Sequence, residues 1–100
     1  MLHMVAANMV HGYVRTEGGD LLPYVDVQIK SENLHVLTDT VGAYSIETES
    51  DTVMVEFSHL GYKTEQRYFI FNAKKNVRRM DVFMREDAQN LEDVMVSGGR

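Results

Sequence analysis

The amino-acid sequence predicts an all-β domain, an antiparallel β-sandwich of about seven short strands. Three observations predict it. Apolar and polar residues alternate with period two along most of the chain, and no window carries helical periodicity. Clusters of Gly, Asp, Asn and Ser separate the alternating runs at short intervals. A single proline punctuates the chain. This spacing of short strands points to an antiparallel sandwich rather than a parallel α/β sheet.

Met9 to Thr16 (MVHGYVRT) sets Val10, Gly12 and Val14 on one face. Glu17-Gly18-Gly19-Asp20 then supplies positive φ at little steric cost. Tyr24 to Lys30 (YVDVQIK) is the cleanest strand, with Val25, Val27 and Ile29 pointing one way and Asp26, Gln28 and Lys30 the other. One buried and one wet face give this pattern. Leu34 to Thr38 alternates Leu34 and Val36 with His35 and Leu37, and Asp39-Thr40-Val41-Gly42 reads as a tight hairpin connection. Ala43 to Thr48 offers Tyr44 and Ile46, and Thr52 to Ser58 offers Val53, Val55 and Phe57 against Met54 and Glu56. Glu49-Ser50-Asp51 and Leu60-Gly61 punctuate these runs. Tyr62 to Phe71 is a longer, aromatic-rich strand; Asn72-Ala73-Lys74-Lys75 leads to the last, Asn76 to Arg85, which carries Val77, Met80, Val82 and Met84. Residues 1–8 are expected to be a leading tail, 9–85 the sandwich, and 86–100 a linker followed by a short alternating segment, LEDVMVSGG.

The chain has 100 residues, no cysteine and a net charge of −5, with fifteen acids against ten bases. One domain with a real core fits that length. The absence of cysteine removes disulfides and thiolate metal sites, and the acidic balance argues against general nucleic-acid binding. No run approaches the roughly twenty apolar residues of a membrane-spanning helix. The start, MLHMVAANMV, has neither a basic n-region nor an apolar run long enough for a secretory signal, so a removed signal or a piece of a longer protein is expected.

Catalytic chemistry has no convergent set of residues here. His3, His11, His35 and His59 form neither an HExxH pair nor a short clamp, and His35 reads as a surface histidine. Asp20, Asp26, Asp39 and Asp51 suit turn entries and wet strand faces, with no calcium-loop spacing. Ser45, Ser50 and Ser58 lack a nucleophile-elbow setting. Lys74, Lys75, Arg78 and Arg79, near Tyr68, Phe69 and Phe71, read as a solvated approach to the last strand with the aromatics turned partly into the core, rather than a phosphate-binding patch. Tyr13, Tyr24, Tyr44, Tyr62 and Tyr68 leave open a sugar-stacking surface, although Tyr44 and Tyr62 beside turn glycines suit packing over a sandwich end with bonded hydroxyls. No enzyme activity, cofactor or metal is expected. A carbohydrate-binding module, and a structural or adhesion domain of a larger surface protein, remain alternative readings.

The order Val10-His11-Gly12-Tyr13-Val14, Leu22-Pro23-Tyr24-Val25-Asp26-Val27, Thr38-Asp39-Thr40-Val41-Gly42-Ala43-Tyr44-Ser45-Ile46 and Phe57-Ser58-His59-Leu60-Gly61-Tyr62-Lys63 resembles the carboxypeptidase-regulatory-like domain. In particular it resembles the N-terminal extension of SusC/RagA-type TonB-dependent outer-membrane transporters. The resemblance covers roughly residues 9 to 98 and implies an Ig-like or transthyretin-like Greek-key sandwich with a flexible C-terminal tail. It implies that Glu92, Asp93, Val94, Met95, Val96 and Ser97 form a TonB box, the short motif that precedes plug and barrel in that family. The implied setting is the periplasmic face of the outer membrane, in a protein that takes up nutrients, glycans among them. The implied partners are the C-terminal domain of TonB, the plug and barrel of the same full-length chain, and a SusD-like lipoprotein. Three positions depart from the family pattern: Tyr24 where Gly is frequent, Met95 where a third Val is common, and Ser97 where Thr is. Tyr24 is expected to alter one turn.

The tail's chemistry agrees with that implication. β-Strand addition requires an extended segment with unpaired backbone groups and alternate side chains for pockets. Val94 and Val96 would point one way, and Asp93, Met95 and Ser97 the other. A segment that orders only on binding gives modest affinity. Pairing of Leu91 to Val96 with the domain's own sheet is the alternative.

Overall fold

Eight strands form among the described residues, 7–72 and 76–87 of a computed structural model. They are β1 (Asn8–Thr16), β2 (Asp26–Ile29), β3 (Leu34–Leu37), β4 (Ala43–Thr48), β5 (Thr52–Ser58), β6 (Glu65–Ile70), β7 (Val77–Arg79) and β8 (Val82–Met84). One sheet has the order β3-β2-β5-β6, all antiparallel. The other places β4 antiparallel on one edge of β1 and both β7 and β8 on the opposite edge. The expected sandwich is therefore present.

Its core lies between the sheets, as the alternation requires. Val10 and Val14 of β1 meet Val25, just before β2, and Val27 and Ile29 of β2, together with Val53, Val55 and Phe57 of β5, Phe69, and Val82 and Met84 of β8. Tyr44 reaches across from β4 and packs its edge on Phe57, with ring centroids 5.2 Å apart. Glu56 faces outward as expected, yet it is covered: Gln66 donates to Oε1 at 3.0 Å and Lys30 Nζ sits 3.1 Å from Oε2. Those two partners, Gln66 first, hold its carboxyl below the usual range.

The strands differ from the sequence expectation in three places. Asp39–Gly42 is the expected tight turn, with Gly42 N–H donating to Asp39 O at 2.9 Å and Asp39 Oδ1 accepting from Val41 and Ala43. It is no hairpin, however, because β3 and β4 lie in different sheets. Gly42 takes φ +78, and an added Cβ would sit 2.9 Å from Val14 O, so both conformation and space ask for glycine. The strand expected from Tyr62 begins only at Glu65. Residues 61–63 turn away from β5 and pair with 85–87 instead.

The third difference is the last strand, which breaks at Met80-Asp81 into β7 and β8, both parallel to β1. Met80 N–H still donates to His11 O at 2.8 Å, but its carbonyl turns inward and accepts the Tyr44 hydroxyl at 2.6 Å. The Asp81 side chain then fills the vacated ladder position, accepting Tyr13 N–H at 3.0 Å. Gly12 permits this crossing: it is the register partner of Tyr44, and Met80 lies directly over its bare Cα. Burial, followed by the nearby Asp81 carboxylate, pushes the Tyr44 hydroxyl well above its ordinary pKa, so it remains a donor.

Asp81 also pairs with Arg79, Nη2 to Oδ2 at 3.1 Å. Arg79 above all, then the Tyr13 amide, hold the Asp81 carboxyl below its usual 3.8. A depressed carboxyl contributes stability that is complete above the unfolded pKa and lost as pH falls through the folded one. Asp81→Asn keeps an Oδ1 acceptor for Tyr13 but does not titrate. The difference between urea midpoints at about pH 7 and about pH 3 should therefore shrink in this variant. An unchanged difference would contradict the role given to Asp81.

Candidate functional site

The residues implied as a TonB box, Glu92, Asp93, Val94, Met95, Val96 and Ser97, lie outside the described residues, as does the alternative pairing of Leu91 to Val96. What is described is the base from which they depart. After β8, Lys63 N–H donates to Arg85 O at 2.9 Å, Tyr62 and Glu86 form an antiparallel bridge, and Asp87 N–H donates to Gly61 O at 2.8 Å. Gly61, at φ +89, makes the turn that offers its carbonyl, and Tyr62 N–H closes it on His59 O at 3.0 Å. On the other flank Arg85 Nε lies 3.6 Å from Glu17 Oε2. The chain thus leaves the sandwich along a backbone-bonded path at one end.

The strand registers gather several loops at that same end. Thr16 pairs with Met84, Tyr13 with Ala43, and Asp26 with Ser58. Turns 17–20, 22–25, 39–42 and 59–62 therefore cluster around the exit. Leu60, 83% exposed, and Tyr24, 59% exposed, project there. Tyr24 has φ +63, a conformation that bulky L-residues rarely adopt. This is the turn that the departure at Tyr24 was expected to alter; the backbone keeps the glycine-like conformation and the tyrosine bears it. Between these loops lies an open groove of about 490 Å³, lined by Tyr24, Asp26, Ser58, His59, Tyr62 and Thr64, with Leu60 at its rim.

The other expected candidates are scattered. Tyr44 is buried with its hydroxyl bonded, as expected. Tyr62 packs against the core, but its hydroxyl has no partner among the described residues. Tyr13 lies between the guanidinium groups of Arg15 and Arg79, 5.8 and 5.9 Å from its ring centroid. Arg78 and Arg79 do not converge: Arg78 donates to Ile70 O at 3.1 Å and covers Phe69, whereas Arg79 is bound to Asp81. Phe69 and Phe71 are buried and Tyr68 is exposed, and Lys74 and Lys75 lie outside the described residues. Ser50 and Thr48 donate to Glu32 at 2.7 and 2.6 Å. His35 pairs with Asp26 at 3.3 Å, and His59 stands edge-on to Tyr62, so the described histidines serve separate places. Sequence reasoning had counted Tyr24 and Tyr62 among possible stacking rings, but it had not joined them with Asp26, Ser58, His59 and Thr64. The local signal was Pro23-Tyr24, since proline at the second position of a turn is commonly followed by a positive-φ residue.

Comparison with known proteins gives a consistent picture. A family model described as the CarboxypepD_reg-like domain matches residues 10–96. TonB-dependent receptor P3 of Formosa agariphila is 28% identical over 83 residues, which is 83% of this chain and 8% of the receptor. The chain therefore spans a small fraction of that relative's length. Chlorocatechol 1,2-dioxygenase from Pseudomonas putida has a similar structure, with a TM-score of 0.58 at 12% identity over 78% of this chain and 59% of that one. At such low identity this likeness concerns the fold alone.

Proposed function

This chain belongs to the CarboxypepD_reg-like domain family, and from that premise we propose that it is the non-catalytic N-terminal domain of a SusC/RagA-type TonB-dependent outer-membrane transporter. The observation that carries this reading is its similarity to a TonB-dependent receptor over 83% of its length. Glu92 to Ser97 act as the TonB box, and the C-terminal domain of TonB pairs with them by strand addition at the periplasmic face of the outer membrane. Plug and barrel follow in the same full-length chain, and a SusD-like lipoprotein completes the assembly.

The geometry of the exit supports a defined task for the sandwich. With Asp87 bonded to Gly61, residues 88–91 alone separate the anchored path from Glu92. Fully extended, that span reaches about 17 Å. The box is thereby kept close to one end of the sandwich, and a short tether of this kind restricts where a partner can engage. Main-chain pairing would supply affinity, and alternation of Val94 and Val96 with Asp93, Met95 and Ser97 would set register.

Titration of the isotopically labelled chain with the C-terminal domain of TonB tests the proposal. Resonances of Asp93 to Ser97 should move while those of the sandwich strands stay in place. Val94→Pro with Val96→Pro, which removes two backbone donors, should abolish the shifts without unfolding the domain. If Asp93 to Ser97 remain unmoved at high partner excess, the box assignment fails.

A further inference from the structure

We propose that the groove between the Tyr24 turn and the 59–62 turn is a binding site for a neutral pyranose unit of a glycan. The inference rests on the groove alone and stands or falls separately from the TonB reading. Its first support is the backbone of Tyr24. A tyrosine at φ +63 is strained, and strain at an exposed position persists only where the surroundings over-determine it. Thr38 supplies that constraint: its carbonyl accepts Tyr24 N–H at 3.0 Å, and its hydroxyl accepts Val25 N–H and donates to Leu22 O, both at 2.8 Å. The ring is thus held out on a rigid turn, over half exposed, where packing of the core gains little from it.

The second support is the chemistry that faces this ring. His59 and Tyr62, which also line the groove, pack edge to face on each other with 5.5 Å between centroids. Aromatic faces take the apolar C–H surface of a pyranose ring, and the hydroxyl groups around that ring need polar partners. The hydroxyls of Tyr24, Ser58, Tyr62 and Thr64 make no hydrogen bond to other described residues. His59 Nδ1 lies 3.0 Å from Leu60 O; the tautomer that donates this bond leaves Nε2 as an acceptor. Asp26 is under-satisfied: Oδ1 is buried without a hydrogen bond, although His35 Nδ1 is 3.3 Å away, and Oδ2 holds one 3.3 Å bond from Gln28. Oδ1 is shielded from the groove, so a ligand hydroxyl would add its bond at Oδ2. As the carboxylate among the lining groups, Asp26 also repels acidic sugars, which selects a neutral ligand. The groove is open, and its volume of about 490 Å³ leaves room for a pyranose unit.

The test uses the labelled chain and neutral oligosaccharides of the cello, xylo, manno and malto series, with an oligogalacturonate as the charged comparator. At least one neutral series should shift Tyr24, His59, Tyr62 and Thr64 with a Kd on the order of 1 mM. Tyr24→Gly removes the ring while relaxing the backbone, so it should stay folded and bind at least roughly tenfold more weakly. Asp26→Asn should weaken binding as well, whereas Tyr68→Ala, on another face, should bind as the parent does. Four outcomes would overturn the proposal: no shifts at about 20 mM sugar, full affinity in Tyr24→Gly, preference for the oligogalacturonate, or groove shifts that follow protein concentration without sugar.

Discussion

Gly12→Ala is expected to destabilise the domain by about 3 kcal/mol or more. Gly12 has no positive φ, and glycine inside a strand is normally about 0.5–1 kcal/mol worse than alanine. With space available, the substitution would therefore stabilise. Space decides the sign. A Cβ at this position would lie 2.1 Å from Met80 O, 2.7 Å from Met80 C and 2.9 Å from Asp81 Oδ1. Two of those atoms are backbone, so no rotamer change relieves the clash. The crossing between β7 and β8 must lift from β1, and that movement strains the Tyr44 hydroxyl on Met80 O, Met80 N–H on His11 O and Tyr13 N–H on Asp81. Each such bond is worth about 1 kcal/mol. For a domain of this size the loss corresponds to a fall in Tm of about 12 to 24 °C. Urea and thermal unfolding followed by circular dichroism measure it. A loss below about 1 kcal/mol would mean that the Met80 crossing yields freely.

Gly12 also shows what local sequence carries and what it does not. The alternation placed Val10, Gly12 and Val14 on the core face, where they lie, and did the same for Val25, Val27 and Ile29. Period two reports which side of a strand is wet, and burial of an open sheet's inner face enforces it. It says nothing about which neighbour a strand takes, or in which direction. The parallel pairing of β7 and β8 with β1 joins residues far apart in sequence, such as Tyr13 and Asp81. The alternation left no trace of the break: Arg78, Met80, Val82 and Met84 keep the inward face in one register on β1, and Val77 lies on the exposed face. The turn Asp39–Gly42 was readable from its residues, yet its flanking strands part to opposite sheets, a choice made by the core rather than by the turn.

The site divides in the same way. The proposed TonB box, Glu92 to Ser97, lies outside the described residues and rests on a motif, which is all that strand addition would need. The groove was not readable, because pairing of Asp26 with Ser58 brings the Tyr24 turn beside the 59–62 turn. Individual tyrosines could be noted in the sequence, but their convergence is a product of sheet register.

Thr38→Val is expected to cost about 2–4 kcal/mol, although the two side chains have nearly the same shape. Thr38 is 1% exposed, so water does not replace what valine lacks. Its hydroxyl works in both directions, accepting Val25 N–H and donating to Leu22 O, each at 2.8 Å. Valine leaves a donor and an acceptor buried without partners, at about 1–3 kcal/mol for each group, against a gain below about 1 kcal/mol for the added methyl. Thr38→Ser separates this cause from packing: it keeps the hydroxyl, drops one methyl, and should cost only about 1 kcal/mol. Valine tolerated better than serine would show that the methyl, not the hydroxyl, holds the site. The damage should also be local before it is global. Backbone bonds from Tyr24 N–H to Thr38 O and from Thr38 N–H to Val25 O survive the change, but the residues flanking Tyr24 lose their side-chain anchor. Val25 amide exchange should therefore accelerate more than exchange in β5, since opening of the turn no longer breaks a buried bond. With the side-chain half of that clamp gone and only the Tyr24 N–H bond to Thr38 O left, the positive φ of Tyr24 is less firmly imposed, so the same substitution that softens the sandwich should also loosen the ring presented at its exit end.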